Sequence, residues 1–282
     1  MQFHAKRIKI QAKINFKKTW EETAGFIEQS GRYLYWQKTP RQPHLLTEMT
    51  DRFRNIFLSY KFTEVQLPSF VPEADVYMQY GPEARVILDR IFYLAGLSRN
   101  NIYNRKTSLP PIIPSRMTLR SHMTASWFPL LAYVHHRASK PVLLFSIGKR
   151  YRLEQKLDAR HLYESTSASL VVMAEHISVE DAKDLTGNIM KDLGFSAYRI
   201  ITKKTASAYY APGTDSEIFI RDNNRAIEVA NFGFYSPVAL ANYKIRYPVF
   251  NLGFGVERVA MIMNGVSDIR KLVYPELYGG VA

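Results

Sequence analysis

A chain of 282 residues can bury one large core, or a core with a small appendage, and 46% hydrophobic against 22% charged residues is ordinary for a folded protein. The absence of cysteine excludes a disulfide scaffold, a cysteine nucleophile and Cys-ligated zinc, and it fits a reducing cytoplasm. A net charge of +13 argues for a polyanionic partner, and no apolar run approaches the ~20 residues of a membrane span, so no membrane partner is expected.

In chain order, residues 1–40 read as a basic helical extension. Lys6, Arg7, Lys9, Lys13, Lys17 and Lys18 stand there without an acidic residue among them. They suit either a solvated basic helix or an arm on RNA phosphates; residues 6–18 are rich in Lys and have neither Ser nor a cleavage pattern, which argues against a transit peptide. Residues 41–282 form the main domain. Leu45, Leu46, Met49, Phe53, Ile56 and Phe57 recur at helical spacing over 43–59, and a strand at 62–67 stops at Pro68. Residues 85–95 are helical or mixed, and 99–116 are loop-like, with paired prolines. A helix covers 118–137, although its first turns also fit a strand. Strands are predicted at 142–147, 151–154 and 166–173, with a polar turn at 156–160. Ser178-Val179-Glu180-Asp181 starts a helix with a capping box that runs to Gly194. Strands follow near 197–202, 216–220, 226–231 and 248–254, and the last helix begins near Val256. Strands that neighbour one another through hairpins predict an α+β fold, an antiparallel sheet flanked by helices.

Residues two apart on a strand share a face. Arg152 with Glu154, Ser167 with Ser169, and (if extended) His122 with Thr124 put polar pairs inside otherwise apolar strands. Burying each such group unpaired costs about 1–3 kcal/mol, so three pairs together suggest a polar cavity on a sheet. Asn251-Leu252-Gly253-Phe254-Gly255-Val256-Glu257-Arg258 leaves one face bare at Gly253 and Gly255, where a flat ligand can approach the backbone. Arg258 then stands where strand becomes helix. A dinucleotide fingerprint does not fit, because Arg258 occupies the third glycine position and no βαβ unit follows.

These segments resemble the three ordered motifs of class II aminoacyl-tRNA synthetases: the helix and strand ending at Pro68, Tyr151-Arg152-Leu153-Glu154, and Gly253 through Arg258. Ile87-Leu88-Asp89-Arg90, Phe92 through Leu97, Thr118 through Thr124, Ser167-Ala168-Ser169 and Phe234-Tyr235-Ser236-Pro237 are similar to the O-phosphoseryl-tRNA synthetases, with the phenylalanyl and pyrrolysyl enzymes as more distant relatives. The resemblance implies ATP-dependent activation of an acidic amino acid, O-phosphoserine first, and its transfer to tRNA, tRNA-Cys by family. Arg152 would hold the α-phosphate of ATP, Glu154 the adenine amino group, and Arg258 the γ-phosphate, with Gly253 and Gly255 beneath the nucleotide. Glu228, and second to it Glu217, would hold Mg²⁺. His122, Thr124, Ser167, Ser169, Asn231 and Asn251 would surround the phosphoserine phosphate as donors. No Lys or Arg stands obviously among them, so a protonated His122 is the one expected helper. Lys156 and Arg160 would meet the tRNA acceptor stem. The resemblance also implies a cytoplasmic homodimer or homotetramer.

Three departures accompany it. The family's C-terminal anticodon-reading domain has no counterpart, so a separate anticodon-binding chain is an expected partner. A short Pro-rich loop replaces an additional family segment. Asn231 stands where the family has a hydroxyl, and Ser165 where class II enzymes place an aromatic residue on adenine; Tyr163 or Phe254 could serve instead. These departures leave open a paralogue that adenylates another amino acid for a non-tRNA acceptor, or a non-catalytic RNA-binding or regulatory subunit.

Overall fold

Hairpin-linked strands and intervening amphipathic helices do assemble into an antiparallel-dominated sheet flanked by helices. The structure, a computed structural model, describes residues 4–28, 43–97, 112–222 and 225–278. It divides into two units, residues 1–43 and 44–282. The predicted extension boundary at residue 40, and residues 99–111 of the predicted loop, lie outside the described residues.

The first unit contains α1 (Ala5–Ile14) and α2 (Phe16–Glu28). Asn15 breaks them apart in an extended conformation, and its side chain accepts from Lys18 N at 3.0 Å, capping α2. The six basic residues of this stretch are exposed.

The second unit opens with α3 (Leu45–Ser59), β1 (Thr63–Glu64), β2 (Phe70–Pro72), α4 (Glu73–Tyr80), α5 (Ala84–Leu88), β3 (Tyr93–Leu97), β4 (Ile112–Leu119) and α6 (Thr124–Val134). Next come β5 (Val142–Tyr151), β6 (Glu164–Met173), α7 (Val179–Asp192), β7 (Arg199–Thr202), β8 (Ser216–Asp222) and β9 (Arg225–Phe234). The chain closes with α8 (Pro237–Asn242), β10 (Val249–Gly255), α9 (Val256–Met263), α10 (Ile269–Val273) and α11 (Pro275–Tyr278). The main sheet runs β1-β5-β6-β10-β9-β8-β7, with only β1–β5 parallel; β2, β4 and β3 form a small second sheet. The predicted capping box is present: Ser178 and Asp181 exchange side-chain and backbone hydrogen bonds at the start of α7.

Three expectations change. Residues 112–116 belong to β4 rather than to a loop. His122 and Thr124 are not a strand pair, because β4 ends at Leu119 and Thr124 begins α6. Likewise β5 ends at Tyr151, so Arg152 and Glu154 lie just past its end rather than along a strand face.

Period-two alternation gives the central strands two different faces. Ala168, Leu170 and Val172 of β6, with Phe250, Leu252 and Phe254 of β10, join Phe53 and Phe57 of α3, Ile189 of α7 and Val259 of α9 in one core. Opposite them, Val171, Met173 and Val249 pack with Trp127, Phe128 and Leu131 of α6. Farther along the same face the side chains become Ser169, Ser167, Asn251, Gly253 and Gly255, and the apolar layer gives way to a cavity. The register of β6 with β10 sets Ser169 across from Gly253 and Ser167 across from Gly255. Behind this floor, Phe57 is fully buried, with its ring 5.2 Å from Phe145 and 6.5 Å from Phe254. Phe57→Ala is expected to lower the unfolding free energy by about 3–5 kcal/mol. Urea denaturation checks this; an unchanged midpoint would show that the ring cluster does not hold α3 to the sheet.

Candidate active site

The cavity on this face encloses about 290 Å³, walled by the main sheet, the start of α6 and the loop after β7. Its floor is the Ser167–Gly255 and Ser169–Gly253 ladder. Twelve of the residues singled out from the sequence line it: His122, Thr124, Arg152, Ser167, Ser169, Glu217, Glu228, Asn231, Asn251, Gly253, Gly255 and Arg258.

One end gathers arginines. Arg258, on the first turn of α9, is oriented from β9: its Nη1 donates to Glu228 Oε2 and to the Glu228 carbonyl, both at 3.0 Å. Arg152 is held by an Nε bond of 3.3 Å to the Ser121 carbonyl. Arg150 on β5 donates through Nε to Ser165 Oγ at 2.8 Å. Burial, and then the neighbouring charges of Arg152 and Arg258, push Arg150 down to about 9, still charged at neutral pH. Three cations face each other here, and among the described residues only Arg258 has a carboxylate at ion-pair distance. The motif glutamate Glu257 has another task, accepting Thr166 N at 2.6 Å and so fixing α9 to β6.

Hydrogen bonding dictates the deep end. Asn251 is fully engaged: Nδ2 donates to Ser169 Oγ (3.1 Å) and Leu170 O (2.8 Å), and Oδ1 accepts from Tyr210 OH at 2.7 Å. Trp127 Nε1 also donates to Ser169 Oγ, at 3.0 Å. Both acceptor sites of the Ser169 hydroxyl are thereby filled, which leaves its proton to donate into the cavity. Ser167 differs, because its proton goes to the Phe254 carbonyl at 3.0 Å.

Between the two ends, the loop after β7 adds groups the sequence did not reveal: Lys203, Ser207, Tyr209 and Tyr210 line the wall. The fully buried Asp215 organises them. Its Oδ2 accepts Ser207 N at 2.9 Å and faces Lys203 Nζ at 3.6 Å, while Oδ1 accepts Asn231 Nδ2 at 2.7 Å. Lys203 also pairs with Glu217 Oε1 at 2.9 Å. Burial opposes its charge, but Glu217 and Asp215 outweigh burial and hold Lys203 above its ordinary value.

Several expectations are corrected by this geometry. The expected set of neutral donors is not free of a cation, since Lys203 stands in the same cavity wall. His122 is not protonated: burial first, then Arg152, Arg150 and Lys203, drive it well below its ordinary 6.5. Ser121 Oγ stands 3.0 Å from Nδ1, within hydrogen-bond distance of the neutral ring. Asn231 is not a spare donor, because its amide nitrogen is committed to Asp215 and, at 3.2 Å, to the Ser216 carbonyl. Of the two proposed substitutes for the ring missing at Ser165, Phe254 is turned into the core, 5.1 Å from the Phe53 ring, and Tyr163 packs edge-on to Phe92. Glu154 lies outside the cavity lining, and Lys156 and Arg160 are exposed in the β5–β6 loop, with Lys156 3.4 Å from Asp158.

Glu228 and Glu217 each face a cation, and among the described residues no third acidic group or histidine joins them in a metal-binding cluster. One or two carboxylates completed by phosphate oxygens and water is the usual donor set of Mg²⁺, and these two fit it.

The family model for the class II core domain of tRNA synthetases (F) matches residues 34–279. The chain belongs to this class II synthetase family. It is 32% identical to the O-phosphoserine--tRNA(Cys) ligase of Methanopyrus kandleri, over 94% of this chain and 64% of that protein. The like-named proteins of Methanocaldococcus jannaschii and Archaeoglobus fulgidus are also 32% identical, over 99% and 100% of this chain and 64% and 66% of theirs. The chain thus spans just under two thirds of the length of these curated relatives. A crystal structure of pyrrolysyl-tRNA synthetase from Desulfitobacterium hafniense superimposes with a TM-score of 0.64 at 18% identity, over 97% of this chain and 86% of that one, sharing the fold.

The histidine correction is directly measurable. In the folded class II domain the His122 ring is expected to stay neutral at pH 6, read by long-range ¹H–¹⁵N NMR. Its folded value lies below the unfolded one, so its contribution to stability is present above pH ~6.5 and is lost as pH falls toward the folded value. A ring that titrates at or above 6.5 would remove this account.

Proposed function

We propose that this chain activates an acidic amino acid with ATP, O-phosphoserine first, and passes it to tRNA, tRNA-Cys in particular, in the cytoplasm. The observation that carries the proposal is one cavity with cations at one end and hydroxyl, imidazole and lysine donors at the other, joined by a floor without side-chain bulk. The names of the similar ligases support the same substrate pair.

In the first step the amino-acid carboxylate attacks the α-phosphorus of ATP, the bond to the bridging oxygen breaks, and pyrophosphate leaves. Arg152 neutralises the α-phosphate and Arg258 the outer phosphate, so catalysis is chiefly alignment and charge stabilisation. Arg258 is already oriented by Glu228. Mg²⁺, held by Glu228 and Glu217, would add positive charge along the triphosphate. In the second step a terminal ribose hydroxyl of tRNA attacks the adenylate carbonyl and AMP leaves. Lys156 and Arg160, exposed in the β5–β6 loop, suit the acceptor stem.

At the acid end the Ser169 proton, Thr124, neutral His122 and Lys203 are available to a phosphate, which offers only acceptors. Ser167 contributes less as a donor, because its proton is engaged by Phe254 O. No helix of the described residues is long and apolar enough to cross a membrane.

ATP–pyrophosphate exchange across a panel of amino acids tests the reading. Exchange is expected with phosphoserine, and Arg152→Ala should abolish it while the thermal melt stays near wild type. Ser169→Ala should raise KM for phosphoserine far more than KM for ATP. Exchange supported by a neutral hydrophobic amino acid alone would refute the acid-end assignment. tRNA affinity should fall steeply from low to physiological salt, as counterion release by a basic surface requires. A flat salt dependence would give the +13 charge another purpose.

A further inference from the structure

We infer that Arg150 is a base-contacting residue, whose guanidinium plane stacks on the purine of ATP. The inference rests on the reading of the cavity as an ATP site and assigns the group that receives the base there.

Ser169, Ser167 and Ser165 share one face of β6, and their partners on β5 are Ser146, Gly148 and Arg150 in turn. On the other side of β6, Gly253 and Gly255 extend the same bare strip. Over Gly148 the guanidinium of Arg120 takes the space that a Cβ would need, so β5 itself contributes no side chain there. Moving outward from the deep end, Arg150 is therefore the first large side chain that β5 raises over this floor. A flat ring lying on the strip meets it.

The tether favours a face-on contact. The Arg150 Nε bond to Ser165 Oγ uses one edge of the guanidinium fork. Among the described residues, no carboxylate pairs with Arg150 and no aromatic ring covers it. The rings that line the cavity are engaged elsewhere: Tyr210 with Asn251 at the deep end, Tyr209 with Tyr210 and Tyr80, and Phe254 with the core. With Arg152 and Arg258 assigned to the phosphates and His122 to the amino acid under that reading, Arg150 is the planar group left for a purine among the described lining residues. A delocalised, weakly hydrated guanidinium is well suited to a π face, whereas an ammonium has no plane to offer.

The test compares wild type, Arg150→Ala, Arg150→Lys and the double variant Arg150→Ala with Ser165→Phe. The readouts are calorimetric binding of ATP and of inorganic triphosphate, together with KM values in pyrophosphate exchange. Arg150→Ala should weaken ATP on the order of tenfold, the size of one lost base stack, while triphosphate binding and the amino-acid KM hold. Arg150→Lys should not restore ATP affinity; a phenylalanine at position 165 should, by placing a ring at the same level of the ladder. Unchanged ATP affinity in Arg150→Ala, or its recovery in Arg150→Lys with a parallel loss and recovery of triphosphate binding, would overturn the stacking role. Wild-type protein that binds no ATP at all would instead overturn the nucleotide reading beneath it.

Discussion

Where β6 meets β10, Ser169 faces Gly253 and Ser167 faces Gly255, while the alternating residues Ala168, Leu170, Leu252 and Phe254 point the other way into the core. Everything in the cavity depends on this register. A slip of one residue would turn Phe254 and Leu252 into the floor and expose glycine and serine to the Phe53–Phe57 cluster. The buried aromatic cluster behind the sheet therefore fixes the bare floor in front of it. Burial of the phenylalanines specifies the register strongly, and the glycines, which contribute little packing of their own, take their positions from it.

On that floor, the polar side chains are positioned mostly by one another. Asn251 binds Ser169, the Leu170 carbonyl and Tyr210, and together with Trp127 it determines which way the Ser169 proton points. Asp215 plays the same part for Ser207, Lys203 and Asn231. Losing either side chain leaves several buried groups unpaired at once, at about 1–3 kcal/mol for each group. These two residues shape the binding surface through the donors they orient.

The legible parts of the site were those with a period. Ser167 with Ser169 and Gly253 with Gly255 stand out because a strand puts residues two apart on one face, and the capping box announced α7. Lys203, Ser207, Tyr209 and Asp215 follow no repeat, since they come from the segment between β7 and β8 whose path is set by hydrogen bonds to distant strands. The His122–Thr124 pair misled for a local reason. Two residues apart also fits the turn before a helix, and the Arg120 clamp on the Leu67 carbonyl (2.8 Å) and the Lys149 carbonyl (2.7 Å) that ends the extended run is a tertiary contact. The state of His122 was likewise hidden, because it depends first on burial and then on cations that stand on β5, just past its end and after β7.

The arginines and the other donors of the cavity stand on different elements. The arginine end is built on β5, β10 and the first turn of α9, rigid pieces tied together by the Glu257–Thr166 and Arg258–Glu228 contacts. The acid end is built on the start of α6 and the loop after β7, anchored by single buried residues. Substitutions in that loop can alter the shape and charge of the cavity wall without moving the end of β5 and the start of α9, where Arg152 and Arg258 stand. Asn231 illustrates the point at the border between the two. Its amide nitrogen belongs to Asp215 and the Ser216 carbonyl, so it acts on a ligand through its bulk and its remaining carbonyl oxygen, an acceptor that a phosphate oxygen avoids and an ammonium seeks. That corner therefore offers acceptor oxygen, whereas Ser169 and Lys203 elsewhere in the lining offer donors, so the cavity wall is not uniform in the charge it favours.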